Sequence, residues 1–215
     1  MSVVPQNIDS LYKVRRGEIE FVDVPELSFV MVEGQGEPEG PAFTEAVQAL
    51  FSVSYAAHFA VKKHSGEATK VMPLEALWWV DEPEQVDAVT NVALGEATMA
   101  ETDRDKWRWQ AMMMQPKPID AAVVAEVIEE SRGKQLPALD LVRFEAWEEG
   151  RCAQALHVGA YADEAPTIVR LHDAIAEAGL KPRGHHHEIY LGDPRRTAPE
   201  NLRTLIRQPV GPPSA

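Results

Sequence analysis

The chain has 215 residues, 45% hydrophobic and 26% charged, enough apolar matter for one large domain or two small fused halves. Its formal net charge of −13 argues against a nucleic-acid partner, because phosphate binding needs a basic face. A single cysteine, Cys152, excludes an intrachain disulfide and points to a reducing compartment. "MSVVPQNIDSLYKVRRGEIEF" lacks the apolar centre of a signal peptide, and no apolar run reaches bilayer length, so a cytoplasmic protein without a membrane partner is expected.

In chain order, Leu27 to Val32 form an apolar run, followed by a Gly- and Pro-rich loop. Pro41 opens a helical stretch in which Phe43, Val47, Leu50, Ser54 and Phe59 recur at helical spacing. "KVMPLEALWWV" and "DKWRWQAMMMQP" read as strands, with the acidic stretch 81–104 between them as a loop or insertion. "PIDAAVVAEVIEESRGK" is helical. "LVRFEAWEEGRCAQALHVG" reads as two strands joined at Glu149-Gly150 in a hairpin, with the glycine supplying the turn. "EAPTIVRLHDAIAEAGL" carries Ile168, Leu171, Ile175 and Leu180 on one helical stripe, and "HHHEIYL" and "LRTLIRQPV" are further strands.

The order strand, helix, strand, strand thus occurs twice. One apolar strand ends at Gly34 and the other at Gly159, each followed at the same offset by a helix-opening proline, Pro41 and Pro166. An α+β fold of two fused β-α-β-β units with pseudo-twofold symmetry follows, helices lying on one face of an antiparallel sheet. The halves are expected at about 20–116 and about 141–210, joined by an inserted helix at 119–134.

Alternation along a strand sorts the candidate residues. In "HHHEIYL", Glu188 and Tyr190 share one side with His186, whereas Ile189 and Leu191 share the other with His185 and His187. The apolar pair is expected to meet the helices, leaving Glu188 and Tyr190 on the open face. If the halves are equivalent, Glu75 of "EALWW" is the counterpart of Glu188, with Trp79 beside it. In "WRWQAMMM", Trp107, Trp109 and Met113 share a side, and alternation alone leaves open whether that side meets the helices. The expectation is a hollow lined by tryptophan and methionine and carrying one or two carboxylates, suited to a flat aromatic ligand.

Other motifs carry less. His185, His186 and His187 do not converge as metal ligands must, and no Cys or further His follows at zinc-site spacing, so no metal is expected. Arg195 and Arg196 lack the Gly-rich cradle of a phosphate loop and read as a surface turn able to pair with Glu188. No cofactor is expected.

Stretches covering nearly the whole chain in order, "LSFVMVEGQGEP", "ALFSVSYAAHFAVKK", "VMPLEALWWV", "KWRWQAMMMQP", "EGRCAQALHVGAYADEAPTI" and "HHHEIYLGDPRRTAPENLRTLIRQPV", resemble the GyrI-like small-molecule-binding superfamily, in its branch without a DNA-binding head. The turn formed by His157, Gly159 and Tyr161 and the strand "EIYL" are its broadest marks. The resemblance implies two β-α-β-β units around a central cleft and a pocket glutamate, carried onto Glu188, that receives cationic aromatic ligands in drug-binding relatives. It also implies a hydrolase of cyclopropane-bearing compounds of the yatakemycin and duocarmycin type, and hence a detoxification role.

On this reading Glu188 activates water, while Tyr190 or Tyr161 donates a hydrogen bond. Trp79, Trp107 and Trp109 clamp the ligand, and Met113, Glu75, Tyr161 and His157 line its site. A non-catalytic binder that sequesters cationic aromatic drugs is the alternative. An interaction module akin to gyrase inhibitors, using the acidic surface, ranks third.

Overall fold

A computed structural model describes residues 8–66, 69–81 and 103–213. Most of the acidic stretch 81–104 lies outside the described residues, as do the first seven residues of the N-terminal segment. Among the described residues, seven strands and three helices follow one another as β1 (Ile19–Gln35), α1 (Pro41–Ser65), β2 (Leu74–Trp79), β3 (Arg108–Met114), α2 (Ala121–Ser131), β4 (Arg143–Val158), α3 (Ala165–Glu177), β5 (Lys181–Pro182), β6 (His186–Tyr190) and β7 (Arg203–Gly211). The fold is α+β with antiparallel strand pairing. Among the described residues, no helix is long and apolar enough to cross a membrane.

The chain forms two compact units, one of residues 26–76 and 103–148, the other of residues 1–25, 77–102 and 149–215. In the first, the end of β1 pairs with β3, placing Gly34 opposite Trp109 and Val30 opposite Met113. α1 covers this pair. Phe43 meets the Trp109 ring edge-on at 5.1 Å, and Ser54 Oγ donates to Met113 Sδ at 3.5 Å. Gly34 is there because the indole needs its space: a Cβ on it would lie 2.3 Å from the Trp109 ring. The buried stripe of α1 runs through the small residues Ala46, Ala49, Val53, Ala57 and Val61 as well as Leu50, whereas Phe59, read as part of the stripe, is 59% exposed. α2 begins at Asp120, whose carboxylate accepts from the N–H groups of Ala122 and Val123 at 3.0 Å.

In the second unit β7 pairs with β4 on one side and β6 on the other. α3 lays Ile168, Leu171 and Ile175 over Ala153, Ala155, Ile206 and Val210, with Leu180 packed at the margin. Complete burial of such side chains is worth about 1.5–3 kcal/mol each. The pairs Val32–Ala111 and Val30–Met113 of one half recur as His157–Thr204 and Ala155–Ile206 of the other, at one constant offset on each strand. The repeated order strand, helix, strand, strand is matched by a repeated pairing, the first strand of each half lying antiparallel to its last.

One expected turn is absent. β4 runs unbroken from Arg143 to Val158, with Gly150 at φ 74° in its middle, so the expected hairpin is a kinked single strand. A glycine with positive φ bends a strand without ending it. The Arg183 guanidinium donates to the Glu149 carbonyl beside this kink.

Candidate active site

The register of β6 decides what its residues can do. Glu188 sits opposite Ile206 and Tyr190 opposite Thr204, and Ile206 belongs to the apolar cluster beneath α3. Directly opposed residues of an antiparallel pair point to the same side, so Glu188 and Tyr190 lie on the α3 face. His187 and Ile189 take the other face and are completely buried. The expectation that Ile189 meets the helices is thus reversed. One face of this strand is fully buried and the other half-buried, so alternation could group the residues without choosing the side.

On the far face, His187 Nδ1–H donates to Glu149 Oε1 at 2.8 Å. The Arg207 guanidinium donates to Glu149 Oε2 at 3.2 Å, to Gln154 Oε1 at 3.1 Å and to the Leu11 carbonyl at 2.6 Å. Burial pushes the Glu149 carboxyl up, but His187 and Arg207 outweigh it and hold the group at about 2. A slip of β6 by one residue would take His187 away from Glu149 and turn Glu188 into the core, so the His187–Glu149 bond favours the register in which Glu188 emerges on the α3 face.

On the α3 face, the Tyr190 hydroxyl donates to Glu188 Oε2 at 2.7 Å, and its oxygen accepts from Trp78 Nε1–H at 3.2 Å. His186 Nε2 lies 3.2 Å from Glu188 Oε1. Burial first, and then the Glu188 charge, push the Tyr190 phenol well above its usual value. Tyr161, in the turn leading to α3, meets Tyr190 edge-on at 5.7 Å. Its phenol is pushed up to about 12 by burial and by the carboxylates of Glu164, Glu188 and Asp193. His172 of α3 is lowered by burial and by the neighbouring His186.

A second carboxyl belongs to this cluster. Glu164, at the start of α3, is 4% exposed, and its Oε1 has no hydrogen-bond partner among the described residues. Burial first, and the neighbouring Glu188 charge second, push it up to about 9 against the smaller opposing effect of the Thr204 hydroxyl, so it keeps its proton at neutral pH. Sequence reading passed over Glu164 because an acid two residues before a helix-opening proline looks like a cap, yet its side chain makes no cap hydrogen bond. The available signal was its position in the same turn as Tyr161.

The other expected site residues make contacts within their own units. Trp79 stacks on His185, 4.4 Å between centroids and 18° between planes, and its Nε1 donates to Asp81 at 3.0 Å; its neighbour Trp78 is the indole that reaches Tyr190. Trp109 and Met113 pack beneath α1, which settles the side that alternation left open and makes them core of their unit. Trp107 is 6% exposed with the Arg104 guanidinium over its ring, and Glu75 is completely buried. His157 uses both ring nitrogens locally, at 3.1 Å from Thr167 Oγ1 and 3.1 Å from the Ala160 carbonyl, tying the end of β4 to α3. Arg195 pairs with Asp193 rather than Glu188. Among the described residues, no three His, Cys, Asp or Glu side chains converge as metal ligands.

A carboxylate held by a tyrosine, with indole and phenol rings around it on an α+β frame, has the polar-among-aromatic make-up of small-molecule sites. The chain belongs to the GyrI-like family, matching its small-molecule-binding domain over residues 17–210. It is similar to an uncharacterized conserved protein from Listeria innocua (29% identity, covering 95% of this chain and 97% of that one, TM-score 0.81). A hydrolase from Listeria innocua is also similar (28% identity, 94% and 96% coverage, TM-score 0.76). The C-terminal domain of EcmrR shares the fold alone, at 9% identity and TM-score 0.52 over 91% of this chain and 98% of that one. No curated protein matches the chain.

Proposed function

We propose that this protein hydrolyses reactive, flat aromatic electrophiles of the cyclopropanoid class, with Glu188 as the base that activates water. The supporting observation is the Glu188 carboxylate, 18% exposed and bound by Tyr190, among the rings of Trp78, Tyr190 and Tyr161. The similarity to a Listeria innocua hydrolase over most of both chains supports a hydrolytic reaction.

In the reaction, a water oxygen attacks the strained methylene carbon. The cyclopropane C–C bond breaks, and its electron pair flows into the conjugated dienone, which becomes a phenolate. The proton lost by the water passes to Glu188. Tyr190 positions this carboxylate. Its one hydrogen is committed to Glu188 Oε2 and its oxygen is held by Trp78, so the carboxylate is fixed at both ends of the contact. Neighbouring rings offer rigid faces to a planar substrate.

Incubation of the purified protein with a yatakemycin-type compound, followed by mass spectrometry, tests this. The expected product carries one added water, and Glu188→Gln slows its formation by about 10²- to 10⁴-fold, the usual worth of general-base help. Absence of product, or turnover unchanged by Glu188→Gln, refutes the proposal. Tryptophan quenching by a cationic aromatic compound without product, lost in Glu188→Gln, favours the alternative of a sequestering protein.

A further inference from the structure

The proposed reaction leaves one proton unassigned. Opening the ring turns a dienone oxygen into a phenolate, and that oxygen must be protonated to give the phenol. Tyr190 is not the donor, because its only hydroxyl hydrogen already goes to Glu188 Oε2 at 2.7 Å. Building on the reading of Glu188 as the base, we propose that Glu164 is the acid of the same site and passes its carboxyl proton to the dienone oxygen as the cyclopropane opens.

Geometry carries the assignment. Glu164 is 4% exposed, yet its Oε1 makes no hydrogen bond among the described residues. With only the Thr204 hydroxyl beside it to favour the ionised form, a carboxyl so buried is costly as an ion and tolerable as a neutral acid awaiting an acceptor. It enters the cluster from the start of α3, in the same short turn as Tyr161, whose ring lies 5.7 Å from that of Tyr190. The charged and titratable groups around this cluster are Glu188, Tyr190 and His186 from β6, Tyr161 from the turn, His172 from α3, Asp193 from the loop after β6 and His157 from β4. No cation among them pairs with Glu164.

Acidities then separate Glu164 from Tyr161, the other hydroxyl in reach. A phenol ordinarily titrates near 10. Glu164, pushed up to about 9 by burial and by Glu188, is still acid enough to give its proton to a phenolate. Tyr161, pushed up to about 12, faces roughly a hundredfold disadvantage and serves only as a hydrogen-bond donor. The start of α3 favours the ionised form of Glu164, but by less than about one pH unit. After each turnover Glu188 holds the proton taken from water and Glu164 lacks one. Repulsion between two neighbouring carboxylates keeps a single proton on the pair, and its return to Glu164 resets the site.

The test is the dependence of kcat on pH for a yatakemycin-type cyclopropanoid, after subtraction of the uncatalysed rate, in the full-length protein and in Glu164→Gln and Tyr161→Phe. The unsubstituted protein is expected to lose activity as pH rises through about 9, where Glu164 gives up its proton. Glu164→Gln is expected to be slower by about 10²-fold and to lack that decline, and Tyr161→Phe to retain it. A merely structural role for Glu164 would not remove an alkaline limb. Turnover by the unsubstituted protein with no decline between about pH 8 and 10, or a Glu164→Gln profile matching it, overturns the assignment while leaving Glu188 as the base. The unsubstituted profile decides the matter even if the variant fails to fold. No turnover by the unsubstituted protein at any pH overturns the hydrolase reading, and this assignment with it.

Discussion

Replacement of Glu149 by glutamine is the most quantitative perturbation available. The side chain is completely enclosed, and its two oxygens accept from His187 at 2.8 Å and from Arg207 at 3.2 Å. An amide can accept on only one side, so a glutamine turns an N–H toward one of these donors and leaves the 2% exposed Arg207 without its counter-charge. In the folded protein the carboxyl titrates at about 2 against an ordinary 4.5, because His187 and Arg207 overcome the opposing effect of burial. At about 1.4 kcal/mol per pH unit, that difference stabilises the folded state by about 3 kcal/mol at neutral pH. Stripping one partner from a buried ion pair costs about 3–5 kcal/mol, which agrees. Urea unfolding at pH 7 is therefore expected to show Glu149→Gln destabilised by about 3–4 kcal/mol, equivalent to roughly 7–14 °C in Tm for a chain of this size. The folded pKa is the lower one, so the stabilisation is complete above about 4.5 and disappears as pH falls toward about 2. The gap between the two proteins must narrow over that window. A gap below about 1 kcal/mol at pH 7, or one that stays constant down to pH 3, refutes the reasoning.

Two further outcomes follow from the packing. Gly34→Ala drives a methyl group to 2.3 Å from the Trp109 ring, and overpacking of this kind costs about 1–3 kcal/mol; tryptophan-monitored urea unfolding should show it, and a loss under about 0.5 kcal/mol would mean that the indole moves aside freely. Cys152 is completely buried, and burial first and Glu149 second push its thiol far above the usual range, so a disulfide-exchange reagent at pH 8 should modify it only once urea unfolds the protein; prompt reaction with the folded protein contradicts the burial.

The sequence determined what depends on neighbours along the chain. Helical stripes at Ile168, Leu171 and Ile175, glycines and prolines at matching offsets, and a period of two in "EIY" are local patterns, and they suffice for two β-α-β-β halves and for placing Glu188 with Tyr190. Tertiary structure decided what depends on the other side of a strand. "HHEIY" is fully buried on one face and half-buried on the other, so its parity was readable but its orientation was not; only the opposition of Glu188 to Ile206, under α3, resolves it. Trp78 and Trp79 are adjacent and chemically alike, and contact with Tyr190 alone tells them apart. Gly150 is compatible with a turn or with a kink until the pairing of its strand is known. Glu164 looks like any helix-capping acid in the chain; its retained proton comes from desolvation and from a carboxylate 24 positions further along, both products of folding. Spacing along a chain fixes relative direction, whereas burial and charge proximity arise only when distant segments meet.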